Sequence, residues 1–161
     1  MTSKVPCIWA GLPQHARVMV DTAPFIYVLE SHPRFAEQFV GLFEAAAIGH
    51  LTISLSTITL AEVLTGPLKA GQTALAKRYE KAMLQYEVIP VSAAIAVLAA
   101  QLRTQYRLKL PDAIQLASAL DTGATALVTH DRDFSQVTGM KILTGDMPAA
   151  PPTVATGKPV R

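Results

Sequence analysis

Cysteine is almost missing from this sequence: Cys7 stands alone among 161 residues, so no disulfide can form within the chain. A lone thiol suits a reducing compartment, and the expected location is the cytoplasm. Charge is sparse, at 16% of residues, and nearly balanced at a net +2. That balance excludes no nucleic-acid partner, because binding depends on where the charges lie. Long apolar runs are also missing. The longest, Ser92 to Ala100, falls well short of the roughly 20 residues that span a bilayer, so no membrane partner is expected. The N-terminus does not read as a signal peptide, since Pro6, Pro13, Gln14 and His15 break any apolar stretch after Lys4. No glycine-rich phosphate loop with its lysine is present, which argues against nucleotide hydrolysis. His15, His32, His50 and His130 lack ligand spacing, so zinc is a poor fit. What is there is 50% hydrophobic, enough for one domain with a real core.

Residues 1–16 have no clear period and are expected to be an irregular lead-in. Residues 147–161 carry Pro148, Pro151, Pro152 and Pro159 among small residues and are expected to be a flexible tail. The folded domain is expected over residues 17–146, without internal repeats. Within it short apolar runs alternate with helical patterns. Strands are predicted at Arg17–Val20, Leu51–Ser54, Val88–Val91, Thr125–Thr129 and Met140–Leu143, with Pro90 hinting at a sheet edge. Helices are predicted after Thr22, where Pro24 can sit in the first turn, and over Phe35–Ile48, Ala93–Gln105 and Pro111–Leu120. A further helical region covers Ile58–Tyr86, with interruptions expected around Gly66-Pro67 and at Gly71. Strands alternating with helices imply a parallel sheet covered on both faces, a three-layer α/β/α domain. Ligands of such folds sit at the carboxyl ends of the strands.

Those ends carry acids. Asp21 follows the first strand directly, and Asp131 and Asp133 follow the fourth after His130. Glu62 lies early in the helix after the second strand, and Asp112 sits just past Pro111. Taken singly, each has a structural explanation. Asp21 or Thr22 can cap a helix, Asp112 can favour a helix dipole, and Asp131 and Asp133 can organise a turn. Thr59-Leu60-Ala61-Glu62 also fits a capping box. Taken together, they repeatedly place a carboxylate, where capping would accept Ser, Thr or Asn equally, along one edge of one sheet. Gathered carboxylates repel and resist ionisation, and a hard divalent cation such as Mg²⁺ or Mn²⁺ resolves that conflict. One or two such ions serve in-line displacement at a phosphodiester.

The same residues bring a resemblance. Val20-Asp21-Thr22, Thr59 to Leu64, Leu110 to Ala117 and Leu127 to Phe134 resemble, in order and spacing, the motifs of PIN-domain ribonucleases. The likeness is strongest to the short VapC-like toxins of toxin–antitoxin pairs, and it spans roughly Val18 to Leu143. It implies a five-stranded parallel sheet and a metal-dependent endoribonuclease. Asp21, Glu62, Asp112 and Asp131 would hold Mg²⁺ or Mn²⁺, with Asp133 as an outer helper or a ligand of a second ion. The Thr129 hydroxyl would orient a ligand, and Thr22 would support the site. His130, read from its place beside Asp131, is a further supporting residue, either a general base or, as is commoner at a crowded turn, a structural one. Two departures stand out: Ala23 where the family often has Asn or Ser, and His130 in place of a frequent Asn. The resemblance also implies an RNA substrate, an antitoxin partner and a homodimer.

A negative site must still attract a polyanion. Arg103 and Arg107 lead up to Asp112, and Arg132 lies between Asp131 and Asp133, so phosphate contact is expected of these three. Lys69, Lys77, Arg78 and Lys81 read instead as a solvated helix surface. Tyr27, Phe35, Phe39 and Phe43 have the spacing of a packing stripe, parts of which an antitoxin helix would meet. Two other functions compete. One is a catalytically silent PIN-like module that binds RNA or protein. The other is an aspartyl phosphomonoesterase, which usually wants a second acid where Ala23 stands.

Overall fold

Val18 and Val20 point to one face of the first strand and Met19 to the other, and all three are fully buried. This strand, β1 (Ala16–Val20), is the centre of a five-stranded sheet in a computed structural model that describes residues 8–145. Its neighbours are β2 (Leu51–Ser56) and β4 (Ala126–Val128), and β3 (Glu87–Ile89) and β5 (Lys141–Leu143) form the edges. All pairs are parallel, with Val18 opposite both Ile53 and Ala126. Pro90 falls immediately after the edge strand β3, where its missing N–H breaks no ladder.

Helices α1 (Thr22–Leu29), α2 (Ala36–Ala47), α3 (Thr57–Lys69) and α4 (Thr73–Met83) enclose a core on one face with Val18, Val20, Phe25, Phe39, Ile53 and Leu55. Helices α5 (Ala93–Tyr106) and α6 (Leu110–Asp121) cover the other face, where Met19, Leu116 and Leu127 meet Phe134. The three-layer α/β/α expectation is thus met. Every residue of α6 from Ala113 to Ala119 is buried, so this helix is an inner element held between α5 and the sheet. None of the described helices is long and apolar enough to cross a membrane.

Two expectations change. Helix α3 runs through Gly66-Pro67, with Pro67 buried in its last turns. A proline there forfeits one backbone bond, and packing outweighs that loss so near the end. The chain breaks only at Gly71, the other interruption expected. Its left-handed φ of +70° lets Gly71 N–H bond Leu68 O at 3.1 Å and Gln72 N–H bond Pro67 O at 2.9 Å. The second change concerns the lead-in of residues 1–16. Its described part holds a 3-10 turn at Ile8–Gly11, and Trp9 and Leu12 are buried in the core. Cys7 and the proline-rich tail lie outside the described residues.

The chain winds from β1 outward to β3, then crosses back to β4 on the other side of β1. The strand order therefore reverses between β1 and β4, and a crevice opens beyond their carboxyl ends. That crevice positions the candidate site.

Candidate active site

Asp21 leaves β1 as the N-cap of α1. Its Oδ1 accepts from Thr22 N–H at 2.7 Å and its Oδ2 from Thr129 Oγ1 at 2.8 Å. Thr129 leaves β4 and is fully buried, and its hydroxyl oxygen also accepts from Asp131 N–H at 3.0 Å. One hydroxyl thus ties together acids 110 positions apart in sequence. Asp131 in turn caps the 3-10 turn Arg132–Gln136, accepting from Asp133 N–H at 2.9 Å through Oδ1 only. The capping roles expected of Asp21 and Asp131 are real, but for Asp131 they leave the second oxygen available.

Asp112, in the first turn of α6, completes the constellation. Asp112, Asp131 and Asp133 each offer a carboxylate oxygen, and these atoms lie within 4.8 Å of one another. Asp112 Oδ2 is buried and has no hydrogen-bond partner. An orphaned carboxylate oxygen costs free energy unless something positive satisfies it, so the donor set fits a hard cation. Electrostatics agree. Burial, reinforced by Asp21, Asp131 and Asp133, pushes the Asp112 carboxyl up to about 7, against a small opposing pull from Lys109. Burial raises Asp21 as well, aided by Asp131 and opposed by the bonds from Thr22 and Thr129.

Glu62 stands apart from the aspartate trio. It is exposed on α3, and its carboxyl is raised by partial burial and then by Asp21. The capping-box expectation at Thr59 to Glu62 is overturned. Ser56 is the N-cap of α3, its Oγ accepting from Ile58 N–H at 3.2 Å, so Thr59 and Glu62 lie inside the helix. The true cap sits three residues earlier because β2 runs on to Ser56, and the helix starts where the strand ends. Glu62→Gln is therefore expected to leave the melting temperature within about 1 °C while weakening Mn²⁺ binding roughly tenfold, as supporting groups of metal sites do. Calorimetric titration beside a melting scan decides, and unchanged metal affinity would exclude Glu62 from the site.

Sequence reasoning missed Thr59 and Gln115 as site-side residues. Gln115 Nε2 donates to Thr59 Oγ1, and Thr22 Oγ1 lies 3.4 Å from that same hydroxyl, so α1, α3 and α6 are linked behind the carboxylates. Gln115 was visible as a polar residue three positions after Asp112, on the same helical face of an otherwise apolar run. His130 is not open to the crevice as a free base. Its Nδ1 lies 3.0 Å from Tyr27 Oη, and the rings of Phe35, Tyr27 and Phe39 surround it with centroids at 4.8, 5.4 and 5.8 Å. The aromatic stripe packs as expected, with Phe39 fully buried, and part of its packing braces the turn that carries Asp131.

Beside the trio, between the end of α5 and the 3-10 turn, lies a cleft of about 440 Å³. Arg107, Lys109, Arg132, Tyr106 and Asp133 line it. Arg103, on the last turn of α5, does not. Arg107 ends α5 in the left-handed region, at φ 56° and ψ 37°, a conformation that costs a non-glycine residue about 1 kcal/mol.

The family model for the PIN domain matches residues 18–140. A toxin–antitoxin complex from Klebsiella pneumoniae contains a similar chain, 32% identical, with a TM-score of 0.63. The match covers 80% of this chain and 98% of that one. VapBC2 from Rickettsia felis, bound to a promoter DNA fragment, is 23% identical over 80% of this chain and 98% of that chain, with a TM-score of 0.66. VapC20 from Mycobacterium tuberculosis, a sarcin–ricin loop cleaving toxin, is 18% identical over 73% of this chain and 92% of that chain, with a TM-score of 0.61. The last two likenesses carry the fold alone. No curated protein matches.

Proposed function

Since this chain belongs to the PIN-domain family, we propose that it is a metal-dependent endoribonuclease and the toxin of a VapC-like toxin–antitoxin pair. The observation that carries this reading is the trio of Asp112, Asp131 and Asp133 at the sheet's switch point, with Asp112 Oδ2 buried and unpaired. Asp112, Asp131, Asp133 and the adjoining Asp21 would hold Mg²⁺ or Mn²⁺. When bound, the cation supplies charge neutralisation at the phosphate and activates water for in-line attack.

The rest falls to the chain itself. Thr129 holds Asp21 Oδ2 and the backbone of Asp131 in fixed relation, so the acids arrive pre-organised. The link from Gln115 to Thr59 anchors α6, and with it Asp112, against α3. Arg107, Lys109 and Arg132 face the phosphate backbone of the incoming strand, giving a negative site a positive approach. Arg103 adds long-range attraction from further along α5. Glu62 stands on the Asp21 side of the site. The likeness to a chain from a toxin–antitoxin complex supports an antitoxin as the protein partner. A second copy of the chain is the other expected partner.

Purified protein is expected to cut single-stranded RNA with Mg²⁺ or Mn²⁺ and to stop when EDTA is added. The product of a neighbouring reading frame should co-purify with it and suppress that cleavage. Absence of saturable Mn²⁺ binding by calorimetry would sink the nuclease reading in favour of a silent binding module.

A further inference from the structure

Resting on the reading that the substrate is RNA, we propose that the cleft beside the carboxylates is a subsite for one unpaired nucleotide. Arg107 and Arg132 hold its phosphate there, and Gln105 and Gln136 read its base. The cleft, at about 440 Å³, falls in the range of roughly 300–1,000 Å³ typical of small-ligand sites. Asp133 belongs both to its lining and to the acidic trio, so a strand whose scissile phosphate lies at the trio continues into it. The lining divides by chemistry. Its cations suit phosphate oxygens, whereas Gln105, Ser135 and Gln136 are neutral. A glutamine amide offers a donor and an acceptor together, the pattern of a base edge. Among the described residues neither Gln105 nor Gln136 has a hydrogen-bond partner for that amide, and both are exposed. Watson–Crick edges are open to such pairing only in an unpaired strand, which favours single-stranded over duplex RNA.

Two features show a cleft that is built rather than incidental. Tyr106 Oη donates to Thr138 O at 3.1 Å and lies 3.2 Å from Thr138 Oγ1, bracing the end of α5 against the loop that leads into β5. The cleft's shape is therefore held by the protein. The second feature is the backbone at Arg107. Where α2, α3 and α6 end, the left-handed position is taken by Gly49, Gly71 and Gly123, which adopt it without strain. Helix α5 instead places an arginine in that conformation. At the helix ends Ser31 after α1 is the other non-glycine residue in this region. Of the two, only Arg107 lines the cleft, where it holds a cation in a conformation that glycine would adopt at less cost.

The test follows from that conflict. Binding is read by fluorescence anisotropy, with labelled, hydrolysis-resistant phosphorothioate RNAs of each single base and Mn²⁺ present. Arg107→Gly is expected to weaken RNA binding about tenfold and reduce the salt slope by about one. Its melting temperature should stay equal or rise by roughly 1–3 °C as strain is relieved. Gln105→Ala and Gln136→Ala are expected to flatten the affinity differences among the four homopolymers at least fivefold. Unchanged affinity and salt slope in Arg107→Gly, or unchanged base preference in both glutamine variants, would overturn the subsite. Wild-type protein that binds these RNAs but leaves ordinary RNA uncut with Mn²⁺ would instead overturn the nuclease reading, and the binding arms still decide the subsite.

Discussion

Asp112→Asn is expected to lower kcat for RNA cleavage in Mn²⁺ by roughly a thousandfold or more while leaving the protein folded. The carboxylate is the only trio member with a buried, unpartnered oxygen, and it joins the site from a helix whose residues from Ala113 to Ala119 are all buried. Asparagine keeps the shape and loses the charge that a hard cation requires. A metal ion contributes several kcal/mol of transition-state charge stabilisation, and about 1.4 kcal/mol corresponds to each tenfold in rate. The fold should not suffer, because Asp112 is repelled by Asp21, Asp131 and Asp133. In EDTA the variant should melt at the wild-type temperature or a few degrees above it. Steady-state cleavage and a melting scan on the same preparation test both halves. Activity within tenfold of wild type would remove Asp112 from the catalytic set.

The second large effect is the dependence of stability on pH and metal. The Asp112 carboxyl titrates at about 7 in the folded protein against its ordinary 3.8, and Asp21 and Glu62 move in the same direction. A raised carboxyl keeps its proton in the folded state over a range where the unfolded chain has released it. Stability then falls as pH rises. Metal-free protein should therefore lose stability between about pH 4 and pH 7 and level off above that, with Asp112 as the main contributor. Metal binding needs the deprotonated carboxylates, so Mn²⁺ should act most strongly at the high end. At pH 8 and a hundredfold over its Kd, Mn²⁺ should add about 2.7 kcal/mol, or roughly 5–10 °C for a domain of this size. Melting scans across pH, with and without Mn²⁺, measure it. A metal-free protein whose stability rises from pH 4 to pH 7 would contradict the acidic site as described.

The bland roles of the carboxylates survive beside the proposed metal site. Asp21 caps α1 and Asp131 caps a 3-10 turn, each through Oδ1. Glu62 moves the opposite way. Its sequence context fits a capping box, and that explanation disappears once Ser56 is seen to cap α3. Local pattern alone does not separate a cap from a residue inside the helix.

By itself the sequence determined the layers, the approximate strands and helices, and the strand-end placement of Asp21, Asp131 and Asp133. These follow from which face of an element is buried, and burial leaves a period of 2 or 3.6 in the residues themselves. The motifs around Asp112 and Asp131 likewise sufficed to suggest the family. Only the tertiary structure decided that β1 lies at the centre of the sheet and that the switch point falls between β1 and β4. It alone brought Thr129 to Asp21, Gln115 to Thr59 and Tyr27 to His130, and it alone opened the cleft between Arg107 and Arg132. Contacts between residues so far apart depend on strand order and helix packing, which impose no period on the sequence. The continuation of α3 through Pro67 was hidden for a related reason: the cost of a proline is local, while the packing that outweighs it comes from the rest of the fold.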